Sequence, residues 1–293
     1  MTYCVAMRLD AGLVFLSDSR TNAGVDQVGT FRKMSVFDNP GDRVMVLMTA
    51  GNLSISQSIR QIVADYVNED GESIWTVQSM HEAARIVGDA IRMVHARDAA
   101  SLEKFGIDFN VSMIFGGQIG NERCRLFQMY SAGNFIESHD ETPYFQIGEA
   151  KYGKPIIDRV ITTASSLDEA AKCALISMDS TLRSNISVGL PLDLLVYETG
   201  RLAVTRFVCV DERNQYFQMI RNTWGQQLKA VFEGIADPEW NAEADGGSNV
   251  LSKRSVDAQP ARVKPPTASE RTARDNPVPL QTLAQQSEIS QQT

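Results

Sequence analysis

"MTYCVAMRLDAGLVFLSDSR" (residues 1–20) reads as two short strands folded back on each other. Thr2–Leu9 and Leu13–Asp18 are rich in apolar and β-forming residues, and the "DAG" at 10–12 is a hairpin signal. A turn centred there pairs residues whose numbers sum to about 21 or 22, which sets Thr2 opposite Ser19 or Arg20. Asp18 is then a diagonal neighbour of Thr2, within side-chain reach. The plainer reading of Asp18 and Arg20 is an ion pair at the open end of the hairpin.

The second reading is chemical. Threonine is small enough for the initiator methionine ahead of it to be removed, and the expectation is a mature chain that begins at Thr2. Its hydroxyl is a weak nucleophile until a base takes the proton, and a free α-amine, with a pKa near ~7.7–8, is such a base at neutral pH. A nearby lysine would lower that pKa and stabilise developing negative charge, with an aspartate holding the lysine. Lys33, in "FRKMSVF", is a charge inside an apolar strand. The plainer reading is an edge lysine facing solvent, and no periodicity sets it beside Thr2.

The elements that follow define the fold class. A second strand pair, Phe31–Phe37 and Arg43–Thr49, flanks the turn "DNPGD". Two helices come next, one with Ile55, Ile59, Ile62, Val63 and Tyr66 on one face, the other with Val87, Ala90, Ile91 and Val94. Strands return over 108–115, 123–130, 134–138 and 144–147. Helices are expected over about 154–165 and 167–184, the second opening with the capping-box pattern Ser166 to Glu169. A strand pair covers 192–198 and 202–210, and a last helix about 213–235 carries Tyr216, Ile220, Trp224, Leu228 and Val231. This order predicts an α+β domain in which two antiparallel sheets pack face to face with helices outside.

Composition bounds the function. Of 293 residues, 43% are hydrophobic and 22% charged, the balance of a chain with a sizeable core. The net charge is −8, and residues 241–293 hold six basic and six acidic residues, so the acidity belongs to the front part. An acidic domain repels phosphate, which argues against a nucleic-acid partner. Cys4, Cys124, Cys173 and Cys209 lack any metal-ligand or disulfide-framework spacing and read as reduced thiols. His81, His95 and His139 form no HExxH, so no metal is expected. No apolar run approaches the ~18 residues of a membrane span, and no signal peptide is evident. The expectation is a soluble, cytoplasmic protein without a membrane partner. Beyond Trp240 there is no aromatic residue, and prolines accumulate among polar residues. Residues 1–240 are therefore expected to form one domain and 241–293 a disordered C-terminal tail.

Several stretches together resemble the proteasome β-subunit family of N-terminal-nucleophile hydrolases, and within it the bacterial proteasome-related subunits. They are the terminal Thr2, "SDSRTNAGVD" from 17, "FRKM" at 31–34, "TAGN" at 49–52 and "SVGLPLDLLVYE" at 187–198. The match covers about 1–240. It implies a four-layer αββα sandwich, no cofactor, and a threonine-type endopeptidase. Thr2 would be nucleophile and, through its amine, general base. Lys33 would tune it, Asp18 would hold Lys33, and the N–H of Gly51 would donate to the oxyanion. Where active subunits carry an Asp and a Ser that orient the terminal amine, this chain offers Ser184, Asn185 and Ser187, with Asn185 in the place of the aspartate. Gly148 and Glu149 fall where a Ser-Gly pair is common. The spacing from Thr2 to Lys33 is one residue shorter than usual.

The implied partners are a peptide or unfolded-protein substrate and further copies of the chain, as a homo-oligomeric ring or open helical stack. An activator that the residues do not identify is also admitted. Two other readings remain open: a nearly inactive proteasome-like shell that binds a peptide or partner, and an amidase for a small metabolite. "FGG" at 115–117 reads as a turn. Asp193, inside "LPLDLLVY", faces either a channel or a subunit contact.

Overall fold

The first two strands are buried along both faces, and the alternation of their side chains explains why the hairpin lacks an apolar–polar alternation. β1 (Tyr3–Leu9) turns Tyr3, Val5 and Met7 toward one apolar cluster and Cys4 and Ala6 toward another. β2 (Gly12–Asp18) divides in the same way, with Val14 and Leu16 against Leu13 and Phe15. The computed structural model describes residues 2–22 and 28–238. The expected 240/241 boundary and the tail lie outside them.

The remaining elements are β3 (Arg20–Asn22), β4 (Val28–Thr30), β5 (Met34–Asn39), β6 (Arg43–Gly51), α1 (Leu53–Asp65) and α2 (Met80–Lys104). Then come β7 (Val111–Ile119), β8 (Arg125–Met129), β9 (Phe135–Glu137), β10 (Tyr144–Gly148), α3 (Lys154–Val160) and α4 (Leu167–Ser184). β11 (Leu192–Glu198), β12 (Arg206–Val210) and α5 (Gln215–Gly234) close the described chain.

They form two five-stranded antiparallel sheets, ordered β10-β1-β2-β11-β12 and β5-β6-β7-β8-β9, and a small pair β3-β4. Three apolar clusters organise them. Met45 and Leu47 of β6 with Phe115 of β7 meet Ile59 of α1 and Val87 and Ile91 of α2. Val5 and Leu16 meet Ala174 and Met178 of α4 and Phe217 of α5. Phe15, Val46, Met48, Ile114 and Leu195 join the facing surfaces of the two sheets. Full burial of a leucine- or phenylalanine-sized side chain contributes about 1.5–3 kcal/mol, so these three clusters are the main stabilising term.

The helices begin where the sequence signals them. Ser79 with Glu82, and Ser166 with Glu169, form reciprocal capping boxes at α2 and α4. Arg8, buried in β1, is satisfied by Ser138 Oγ at 3.1 Å and Asp140 Oδ1 at 2.7 Å. By its contacts the chain divides after Val231. In the second unit the described residues are 232–238, with the Ile235 N–H on the Phe232 carbonyl.

Several sequence-based expectations need correction. The strand expected from Phe31 begins at Met34, which leaves Lys33 just ahead of it instead of inside it. The helix from 154 ends at Val160 instead of 165, because Ile161 caps it and the Thr163 carbonyl accepts the Asp10 N–H at 2.8 Å. The last strand begins at Arg206 instead of 202, because Leu202 has φ +44° and its N–H bonds the Tyr197 hydroxyl. The "FGG" run lies inside β7, where a side chain at 116 would meet the Phe15 ring and Leu126. β3 and β4 escaped notice because three-residue strands carry no readable period.

Candidate active site

The hairpin register puts Cys4 opposite Ser17, and continuing the same pairing puts Tyr3 opposite Asp18 and Thr2 opposite Ser19. Asp18 ends β2 with its side chain fully buried and accepts the Tyr3 N–H on Oδ1 at 3.0 Å. Lys33 reaches the same oxygen with Nζ at 2.6 Å. A second Nζ bond, at 2.7 Å, goes to the Arg20 carbonyl at the start of β3. Lys33 is anchored by its own carbonyl, which accepts the Thr49 N–H of β6 at 3.1 Å. The Gly189 N–H, in the loop before β11, approaches Asp18 Oδ2 at 3.4 Å.

The electrostatics follow from burial. Removal from water pushes the Asp18 carboxyl up from its ordinary range, against the opposing pull of the Lys33 ammonium and of the Tyr3 and Gly189 N–H groups. Cys4 lies beside this pair, and burial pushes its thiol up strongly. Such a thiol is chemically quiet.

A cleft of about 420 Å³ opens over the pair. Thr2, Lys33 and Gly51 all line it, with Phe31, Leu53 and Asn110 among the residues of its walls. Gly51 is the last residue of β6 and has φ +110°, where a side chain would collide with the Asn110 carbonyl. Next to it Asn52 caps α1 by accepting the Ser54 N–H at 3.0 Å. The strand-to-helix junction thus presents bare backbone to the cleft.

Thr2 is held from its other side by β10. Tyr3 pairs with Gly148, and the Glu149 N–H donates to the Thr2 carbonyl at 2.7 Å. Gly148, at φ +81°, passes so close that a side chain there would overlap this carbonyl. Asn185 caps α4 and does not line the cleft; neither does Ser187. The Asn185 amide donates through Nδ2 to Glu149 Oε2 at 2.8 Å, while its Oδ1 accepts the Ser187 N–H at 2.9 Å. Ser184 ends α4 and is exposed.

Thr2, Asp18, Lys33 and Gly51 therefore converge, and Asn185 with Ser187 joins them through Glu149. Sequence reasoning missed the Arg20 carbonyl and the Gly189 N–H, for which a backbone atom leaves no residue-type signal. It also missed the acceptor role of Glu149. Asp193 is buried opposite Ser17, with Arg32 Nη1 at 3.5 Å as a partner in the same chain. Its Oδ2 and Ser17 Oγ have no hydrogen-bond partner among the described residues.

Two antiparallel sheets with this cluster at the head of the first strand define a proteasome-related, β-type subunit. Neither a family model nor a curated protein matches the chain. Solved structures do. Anbu, the ancestral β-subunit from Yersinia bercovieri, is 48% identical, with 82% of this chain and 100% of that one covered and a TM-score of 0.76. An Anbu variant from Hyphomicrobium sp. strain MC1 is 46% identical over 82% of this chain and 100% of that one, at a TM-score of 0.77. A helical assembly of the Anbu complex from Pseudomonas aeruginosa gives 46%, 81%, 98% and 0.77 for the same measures. The chain belongs to the Anbu family.

Proposed function

We propose that the chain is a proteasome-type threonine peptidase that hydrolyses peptide amide bonds with Thr2 as its N-terminal nucleophile. The observation that carries this reading is the buried Lys33–Asp18 pair at 2.6 Å on the floor of a cleft that Thr2 and Gly51 also line. Once Met1 is removed, the Thr2 Oγ1 attacks the scissile carbonyl and its proton passes to the α-amine. The oxyanion forms opposite the N–H of Gly51. Collapse breaks the C–N bond, the amine's proton goes to the leaving nitrogen, and the acyl group stays as an ester on Thr2. Water, deprotonated by the same amine, then attacks the ester and frees Thr2. Lys33 holds the local field positive, which favours a neutral amine and the oxyanion. Asp18 fixes Lys33 by accepting its ammonium, and Asn185 and Ser187 stand in the place of the amine-orienting pair.

Three further parts of the reading have separate support. The three apolar clusters, one between the sheets and one on the outer side of each, support a four-layer αββα sandwich. Among the described residues no helix is long and apolar enough to cross a membrane, in keeping with work in the cytoplasm. The homo-oligomer is supported by the helical assembly of the Pseudomonas relative. Exposed apolar residues on β12 and α5, among them Phe207, Val208, Tyr216, Leu228 and Val231, suit contacts between copies. The amide at 185 favours the second reading, a weakly active shell that binds peptides, because an amide pairs with an ammonium less well than a carboxylate does.

The experiment is intact-mass spectrometry with and without an electrophile that bonds to an N-terminal threonine, alongside cleavage of a fluorogenic peptide. Loss of one methionine, one adduct per chain and loss of cleavage in Thr2→Ala are the expected results. A retained Met1, or full cleavage by Thr2→Ala, overturns the reading.

A further inference from the structure

The Asn185 amide turns a donor toward Glu149. Its oxygen accepts the Ser187 N–H at 2.9 Å, and its Nδ2 donates to Glu149 Oε2 at 2.8 Å. An amide donor facing a buried carboxylate holds that carboxylate in place. Glu149 is itself set by the backbone of the nucleophile's residue. It follows β10, where Gly148 pairs with Tyr3, and so stands opposite Thr2 with its N–H on the Thr2 carbonyl at 2.7 Å. Only 8% of Glu149 is exposed. The cation near its other oxygen is Lys151, at 3.4 Å, whose side chain is 67% exposed and screened by water.

We propose that Glu149 is the positioning residue for the Thr2 α-amine. It supplies, from across the β1–β10 pair, the carboxylate that position 185 lacks, and Asn185 serves as the clamp. This inference rests on the reading of Thr2 as an exposed terminal nucleophile. The physical need is plain: an amine that takes and returns a proton must keep one orientation through the cycle, and a fixed acceptor provides it. A carboxylate at that point also offsets the depressing field of Lys33, so the amine keeps enough basicity to accept the hydroxyl proton at neutral pH. Gly148 makes the approach feasible, since any side chain at its φ of +81° would push the strand end away from Thr2.

The test separates this role from a structural one. The α-amine of Thr2 is titrated directly, by nitrogen NMR of threonine-labelled protein, in wild type, Glu149→Gln and Glu149→Gln/Asn185→Asp. Glu149→Gln keeps the shape and the bond from Asn185, so equal melting temperatures are expected. Its amine should titrate lower by about one pH unit, the low end of the effect of an opposite charge within ~4–6 Å. Its kcat should fall by about a hundredfold with KM little changed, as for a misplaced catalytic group. The double variant restores a carboxylate at 185 and should recover most of both losses. An unshifted amine in Glu149→Gln overturns the inference even if the peptidase reading stands. A shifted amine in a protein that cleaves no peptide upholds the inference and sinks the peptidase reading. A retained Met1, leaving no amine to titrate, overturns both.

Discussion

Lys33 Nζ lies 2.6 Å from Asp18 Oδ1, and neither side chain is more than 7% exposed. A buried pair of this kind couples stability to pH through whichever partner remains when the other is removed. Lys33→Met leaves the Asp18 carboxyl in the interior without its cation, so its pKa, already raised by burial, rises further. A raised carboxylate pKa contributes stability that is complete below the unfolded value of ~3.9 and is lost as pH climbs through the folded one. The variant should therefore match wild type near that acid limit and fall behind by roughly 3 kcal/mol at neutral pH. Adding Asp18→Asn should close most of the gap. Denaturant titrations across pH check this, and a pH-independent deficit would contradict it. Lys33→Ala should also slow peptide cleavage by about two to four orders of magnitude.

Gly148 bears on Thr2 through backbone alone. Gly148→Ala places a methyl group where the Thr2 carbonyl lies, in a conformation at φ +81° that itself costs about 1–3 kcal/mol for a side chain. Peptide cleavage should be lost while the chain still folds at a lower melting temperature. Activity near the wild-type rate would show that Thr2 tolerates movement of β10.

Three of the four thiols should resist alkylation. Burial pushes the Cys173 thiol up to about 12, and pushes those of Cys4 and Cys124 up as well. At pH 8 almost none of these three is thiolate, and access is closed. Peptide mapping after brief iodoacetamide treatment should find them unmodified in native protein and labelled once it is unfolded in urea. Rapid native labelling of Cys173 would mean that α4 does not pack as described.

Self-association should depend on the exposed apolar residues of the last strand and helix. Leu228 is 55% exposed and Val208 46% exposed. Charged substitutions at exposed positions change a single chain's stability little, within about 0.5 kcal/mol. Leu228→Asp with Val208→Asp should therefore keep the fold, by circular dichroism, while shifting sedimentation to smaller species. An unchanged sedimentation profile would remove these residues from the contact between copies.

The N-terminal hairpin and the caps were legible because their causes are local. A short turn allows only a few registers, and the observed pairing of Cys4 with Ser17 is one of the two expected from it. Ser166 and Glu169 announce the start of α4 by side chains three residues apart. Thr2 and Asp18 are neighbours for the same reason. Where the cause was distant, local reading failed: "FGG" became a turn because nothing nearby reveals the Phe15 ring that faces Gly116.

The amino-acid order by itself determined most of the longer strands, the start of α4, and the presence of a threonine and an aspartate at one end of a hairpin. Lys33 could be joined to them from the residues only through the resemblance to proteasome subunits. The tertiary structure decided its place, because Lys33 directly precedes β5 of the second sheet and meets Asp18 only when the two sheets pack through their shared core. The same holds for Gly189 and Glu149, which reach the hairpin from 171 and 147 residues away. Such contacts follow from the burial of large apolar faces, which is non-directional and leaves no periodic mark beside the polar residues it brings together.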